Sequence, residues 1–213
     1  MGKVSKQVLG KINGKVGGVA FRDWRGLDVV QTYAEENKSD TEKQHLQRVL
    51  FSEFNKDLRK FLCPMRLGFQ HQSQGSTEYA EGVKTNWATL VYNDLYHPED
   101  LKNIQLSKGG LRVPVLNSAA VTSGQVVVTW DYSSINPCGK NNPNDTVVVV
   151  IAVVDNAGHV VDQAISSTAS RSTATLTMTI PTSWTSDVDN LLIYAFAYNE
   201  EDASDTSYIA GEE

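Results

Sequence analysis

Apolar positions change their spacing twice along this chain of 213 residues. Val16, Val19, Phe21 and Trp24 precede Arg25-Gly26, and Leu27, Val29, Val30 and Tyr33 follow it. That pattern predicts strands near 15–23 and 27–34, turning at Gly26, where glycine tolerates positive φ at no steric cost. From Ser39 the spacing becomes three and four. Leu46, Leu50, Phe54, Leu58, Phe61 and Leu62 form one stripe, the mark of a helix with a single buried face. Ser39 with Glu42 is a candidate capping box, and Pro64 a candidate stop. A second helix is expected over 77–96, with Tyr79, Val83, Trp87, Leu90, Val91 and Leu95 on one face, Ser76 as N-cap and Pro98 beyond the end. The polar loop from Gly68 to Gly75 is long enough to make the two helices antiparallel neighbours.

After Lys108-Gly109-Gly110 and Pro114 the period falls to two. Val126, Val128 and Trp130 alternate with Val127, Thr129 and Asp131. Thr146 to Asp155 is a β-branched run, as expected of a central strand covered on both faces. Further strands are expected at 159–165, 173–180, 190–198 and 207–210, with a turn at Asn156-Ala157-Gly158. Six or seven short strands without a helix predict a β-sandwich. The fold class is therefore α+β: an N-terminal β-hairpin plus two antiparallel helices over 1–113, then an all-β sandwich over 114–213. Pro114 marks the expected boundary, and residues 114–213 are expected to fold alone. No repeat of solenoid length is present.

Charge divides along the same line. Residues 1–113 carry 17 Lys and Arg against 13 Asp and Glu, a net of +4; residues 114–213 carry 2 against 12, a net of −10. Such asymmetry points to partners. Lys3, Lys6, Lys11, Lys15, Arg22 and Arg25 face only Asp23 within the first 25 residues, with Phe21 and Trp24 interleaved. Cations with aromatics can serve nucleic acid. The overall formal charge of −6 opposes that, so nucleic acid is not the expected partner. An acidic protein surface, such as a neighbouring subunit's second half, fits better. These six cations are the candidate partner-binding residues, and they are expected to lack local partners.

Motifs for chemistry are missing. Gly10 to Lys15 reads GKINGK, one residue short of a phosphate loop, with Val16 where Ser or Thr would hold magnesium. Gly-x-Ser-x-Gly is absent. His45, His71, His97 and His159 show no ligand spacing and are expected to be solvated. Cys63 and Cys138 are expected to be free thiols. Asp187, Asp189 and Asn190, and Glu200, Glu201, Asp202 and Asp205, form oxygen-rich loops that match no calcium motif and are expected to be solvated. No catalytic residue, metal or cofactor is expected. No run of about 18 apolar residues exists, so no membrane span or membrane partner is expected. The N-terminal lysines precede no apolar segment, so a cleaved signal is not expected, and Lys6 breaks a myristoylation motif.

Two resemblances extend this reading. Val126-Val-Val-Thr-Trp130-Asp, with Leu192-Ile-Tyr194-Ala-Phe-Ala-Tyr198-Asn, resembles the second and sixth strands of fibronectin-III or immunoglobulin-like modules. That implies a sandwich of this kind over about residues 115–213, with an inward tryptophan. Gly14-Lys-Val-Gly17-Gly-Val-Ala-Phe21-Arg resembles an uncharacterised family of Bacteroidota and their crAss-like tailed phages. The likeness continues through Arg25-Gly26, Val29-Val30, Thr41-Glu-x-Gln44, Arg48-x-x-Phe51, Leu58-x-x-Phe61-Leu62 and Leu67-Gly68-Phe69. Lys38-Ser39-Asp40 departs from the Asn-Pro usual in that family. The resemblance implies a phage context and no activity.

Together these readings lead to a non-catalytic structural protein of a tailed phage virion, at the neck or tail. Its expected partners are other virion proteins and copies of itself docked head to tail in a ring. The alternative is a host-cell Bacteroidota binding protein that recognises a glycan or protein through the sandwich loops.

Overall fold

A computed structural model describes residues 2–3, 13–24, 26–32, 41–71, 75–93, 96–122, 124–132, 142–184 and 190–211. The first strands are β1 (Gly2–Lys3), β2 (Gly14–Val16), β3 (Val19–Trp24) and β4 (Leu27–Thr32). They form an antiparallel sheet in the order β1-β4-β3-β2. The strand expected over 15–23 is two strands, because Gly17 turns the chain at φ 57°. Gly26, at φ 76°, makes the expected turn between β3 and β4. The indole Nε1 of Trp24 donates to the Gly75 carbonyl at 2.9 Å and so ties this sheet to the loop before the last helix.

Helix α1 spans Glu42–Arg59. Its capping box is Thr41 with Gln44: Thr41 Oγ1 accepts from the Gln44 amide at 3.4 Å, and Gln44 Oε1 accepts from the Thr41 amide at 3.2 Å. The expected cap, Ser39, lies outside the described residues. Pro64 does not close this helix. The chain breaks at Lys60–Phe61, and α2 (Leu62–Gly68) carries Pro64 in its first turn, where a missing N–H leaves no bond unmade.

Helix α3 spans Glu78–Trp87, capped by Thr77 instead of Ser76, and stops well short of the expected residue 96. Asn86, fully buried, explains the stop. Its Nδ2 donates to the carbonyls of Gly82 and Gln105, and its Oδ1 accepts from the Gln105 amide at 2.7 Å. The amides of Thr89 and Leu90 both turn onto the Asn86 carbonyl, and Tyr92 then bridges Pro98 as extended chain. Tyr79, at the start of α3, bonds Asn55, whereas Trp87, at its end, packs on Phe51 and Phe54. Helix α3 therefore runs back along α1.

Seven strands follow: β5 (Val115–Thr122), β6 (Gln125–Asp131), β7 (Thr146–Val153), β8 (Ile165–Ser170), β9 (Thr175–Thr179), β10 (Leu191–Tyr198) and β11 (Ser207–Ala210). They form an immunoglobulin-like sandwich of a β5-β6-β9 sheet on a β11-β10-β7-β8 sheet, all pairs antiparallel. The sequence pattern did not single out β5. Its polar and small Asn117-Ser118-Ala119-Ala120 weakens the alternation, and its register slips between Leu116 and Ser118. The strand expected over 159–165 begins where it was to end, because Val160 makes only an isolated bridge to Val154. Trp130 points inward at 2% exposure, and its Nε1 donates to the Arg171 carbonyl.

The central strands β7 and β10 are buried on both faces. Val147, Val149, Ile151, Ile193, Ala195 and Ala197 meet Val126, Val128, Trp130 and Met178 inside the sandwich. Val148, Val150, Ala152, Leu192, Tyr194 and Phe196 point the other way, onto Phe54, Leu58, Phe61, Met65 and Phe69. The molecule is thus three layers, helices on a four-stranded sheet on a three-stranded sheet. The helices share their core with the sandwich, and the stretch before Pro114 continues into it through the Leu111–Ser204 bridge.

Candidate interaction surface

The six candidate cations fall unevenly. Register sets Lys3 opposite Val29, Arg22 opposite Val29 from the other side, and Lys15 opposite Ala20. Three of the six thus belong to strands of the N-terminal sheet. Lys15 and Arg22 are exposed. Lys15 takes part in an interaction within the chain, so the expectation that these cations lack local partners fails for it. Lys6, Lys11 and Arg25 lie outside the described residues. Among the described residues β2 pairs only with β3, and all of its residues are exposed, including Val16 at 64%. Such an edge is a template for another strand.

A second basic surface was not anticipated. Arg48, Phe51, Ser52, Asn55, Lys56 and Arg59 of α1, with Tyr79 of α3, line an open groove of about 400 Å³. Phe51 leaves 43% of its surface in solvent there. Lys56 pairs with Glu53 at 2.5 Å, and the Tyr79 hydroxyl donates to Asn55 Oδ1 at 3.0 Å. Burial raises the Tyr79 pKa, and the Arg59 cation opposes that shift. The signal was present in the sequence: positions 48, 52, 55 and 59 repeat at helical spacing on the face opposite the apolar stripe.

The histidines are not all solvated. His159 Nδ1 lies 3.0 Å from Asp57 Oδ2, and its ring meets His97 edge-on at 5.2 Å. Asp57 is 4% exposed; it also accepts from the Tyr92 hydroxyl at 2.9 Å and from the Val160 amide at 3.2 Å. Burial first, then the Asp57 charge, raises the Tyr92 pKa well above its usual value. Three donors on one buried carboxylate fasten α1 to the β7–β8 connection and to the segment after α3. His71 bonds the Asn199 carbonyl at 3.1 Å from the end of α2.

Of the acidic loops, Asp187 and Asp189 lie outside the described residues. Asp202 and Asp205 are not merely solvated: they accept from the amides of Gly110 and Gly109, at 3.0 and 3.4 Å, and pin that segment against the sandwich. Glu200 and Glu201 are exposed at the β10–β11 tip. Among the described residues no three His, Cys, Asp or Glu side chains gather as metal ligands. Cys63 is a free, exposed thiol, and Cys138 lies outside the described residues. No described helix is long and apolar enough to cross a membrane.

At one end of the sandwich, Val153, Asp155, Asn156, Asp162, Trp184 and Asn190 help line a further groove of about 280 Å³. Trp184 is only 3% exposed and its Nε1 donates to Asp162 Oδ2, so it offers no ring face there.

No curated protein matches this chain. Residues 10–210, nearly its whole length, match a family of unknown function, DUF6266, and the chain belongs to that family.

Proposed function

We propose that this protein is a non-catalytic structural component of a tailed phage virion, at the neck or tail, that assembles through protein–protein contacts with copies of itself and other virion proteins. The observation that carries the assembly reading is the N-terminal sheet. It presents exposed Lys15 and Arg22 and, among the described residues, a β2 edge paired on one side only, on a body whose second half is strongly acidic. A basic, strand-ready surface beside an acidic one favours head-to-tail docking of copies, since complementary fields steer association and select register. The phage context comes from the resemblance of residues 14–69 to sequences of Bacteroidota and their tailed phages. The groove at the sandwich end is the place for the alternative, a glycan site on a host-cell binding protein. Its tryptophan is buried, so a sugar finds no aromatic platform, and that reading is the weaker.

Sedimentation velocity of the full chain and of a chain lacking residues 1–13 tests the assembly reading. The full chain is expected to form oligomers at low salt that weaken as salt rises, because exposed charges are screened within about 10 Å at 0.1 M. The shortened chain is expected to stay folded and monomeric. Oligomers that ignore both the deletion and the salt would refute the reading. Mass spectrometry of purified virions of a phage encoding this chain tests the context, and its absence from the particles refutes it.

A further inference from the structure

We infer that the groove on α1 receives the β10–β11 tip of a second copy of this chain, with Glu200 and Glu201 set against Lys56 and Arg59. This deepens the assembly reading and rests on it. The tip is a tight connection: Tyr198 bridges Ala203, and Asn199 Oδ1 accepts the amides of Glu201 and Asp202 at 2.9 and 2.8 Å. Asn199 Nδ2 in turn holds Asp145 at 3.0 Å, so the tip is anchored to the sandwich. Asp202 and Asp205 are occupied by the glycine amides. The carboxylates of Glu200 and Glu201, by contrast, belong to exposed residues and make no hydrogen bond or ion pair among the described residues.

The groove supplies the complement. Arg59 lines it and is exposed, and the Lys56 side chain is 64% exposed and pairs with the Glu53 carboxylate. Such exposed pairs contribute little to stability, so Lys56 can take a second carboxylate at small cost. The exposed edge of Phe51 and the Tyr79 hydroxyl line the same groove. Phe51, Tyr79 and Arg59 are of the residue types enriched at interfaces. Within residues 114–213 the cations are Lys140 and Arg171, and Arg171 is buried against Asp145, so the carboxylates of this half have little compensation from their own half. Groove and tip are different surfaces of one chain. A contact between them is heterologous and generates a ring or an open filament.

Charge exchange in the full chain tests this. Three variants are needed: K56E with R59E, E200K with E201K, and all four together. Sedimentation equilibrium at low salt is expected to show association weakened about tenfold or more in each pair variant and restored in the fourfold variant, as a close charge pair requires. Thermal melts check folding; should reversal disturb α1, K56Q with R59Q is expected to weaken association in the same direction. Unchanged association in either pair variant, or failure of the fourfold variant to recover, overturns the inference. Oligomers lost on deleting residues 1–13 but indifferent to these exchanges overturn the groove contact and leave the assembly reading standing. A wild-type chain that stays monomeric overturns both.

Discussion

Removing residues 1–113 strips one face of the central sheet, and the consequence can be worked out. Val148, Val150, Leu192, Tyr194 and Phe196 lie under the helices, all at 8% exposure or less. At roughly 1.5–3 kcal/mol for each large side chain, returning these five to water costs about 8–15 kcal/mol. A whole domain is stable by only about 5–15 kcal/mol, so the loss is as large as the total. The fragment also loses the Arg112 carbonyl that Arg171 Nη2 bonds and the bridge from Leu111 to Ser204. Residues 114–213 alone are therefore expected to show no cooperative urea transition, to bind a hydrophobic dye and to aggregate. The assay is far-UV circular dichroism through a urea titration, beside the intact chain. A cooperative transition within about 2 kcal/mol of the intact chain would refute the reasoning, because burial at that face would then contribute almost nothing.

Asp57→Ala leaves the Tyr92 hydroxyl, the Val160 amide and His159 without their acceptor, and is expected to cost about 3–5 kcal/mol in urea denaturation; a loss under about 1 kcal/mol would show that the carboxylate is not the fastening. Gly68→Ala should gain about 1 kcal/mol of helix propensity on an open helix. Here the added Cβ would overlap the Leu106 carbonyl oxygen and Ser107 Cα, so a net loss of roughly 1–3 kcal/mol is expected, and a stabilised variant would contradict the packing. Burial raises the pKa of Tyr194 and Tyr92 above the usual value of 10.0. Their contribution to stability is full below pH 10 and is lost as pH rises above it. Alkaline titration is expected to show tyrosinate absorbance for these two appearing only with unfolding, and early, reversible ionisation of all tyrosines would count against it.

Much of the fold was legible because local periodicity records which face is buried. Phe54, Leu58 and Phe61 of the helical stripe are buried as its spacing implied, whereas Leu46 at its start is 46% exposed, and the run from Thr146 carries the signature of a strand covered twice. Strand β11 falls on the expected residues 207–210, and Trp130 points inward as its resemblance implied. Helix ends were less legible. Thr41 and Ser39 are both competent caps, and three-residue spacing to Gln44 or Glu42 does not choose between them. The end of α3 depends on Asn86 reaching Gln105, a partner 19 positions away that no local window contains.

The candidate surfaces divide in the same way. Clustered cations at the N-terminus are visible as composition, whereas the α1 groove needs Tyr79 to fold back beside Arg59. Asp57 and His159 are 102 positions apart, and each looks like an ordinary surface residue in its own neighbourhood. By itself, then, the sequence determined the element types, the charge division between halves and the double burial of β7, all of which are properties of short segments. Only the tertiary structure decided that the second cover of β7 and β10 is the chain's own α1 and α2. It alone also made a basic groove and an acidic tip into separate surfaces, because both depend on contacts between residues far apart along the chain.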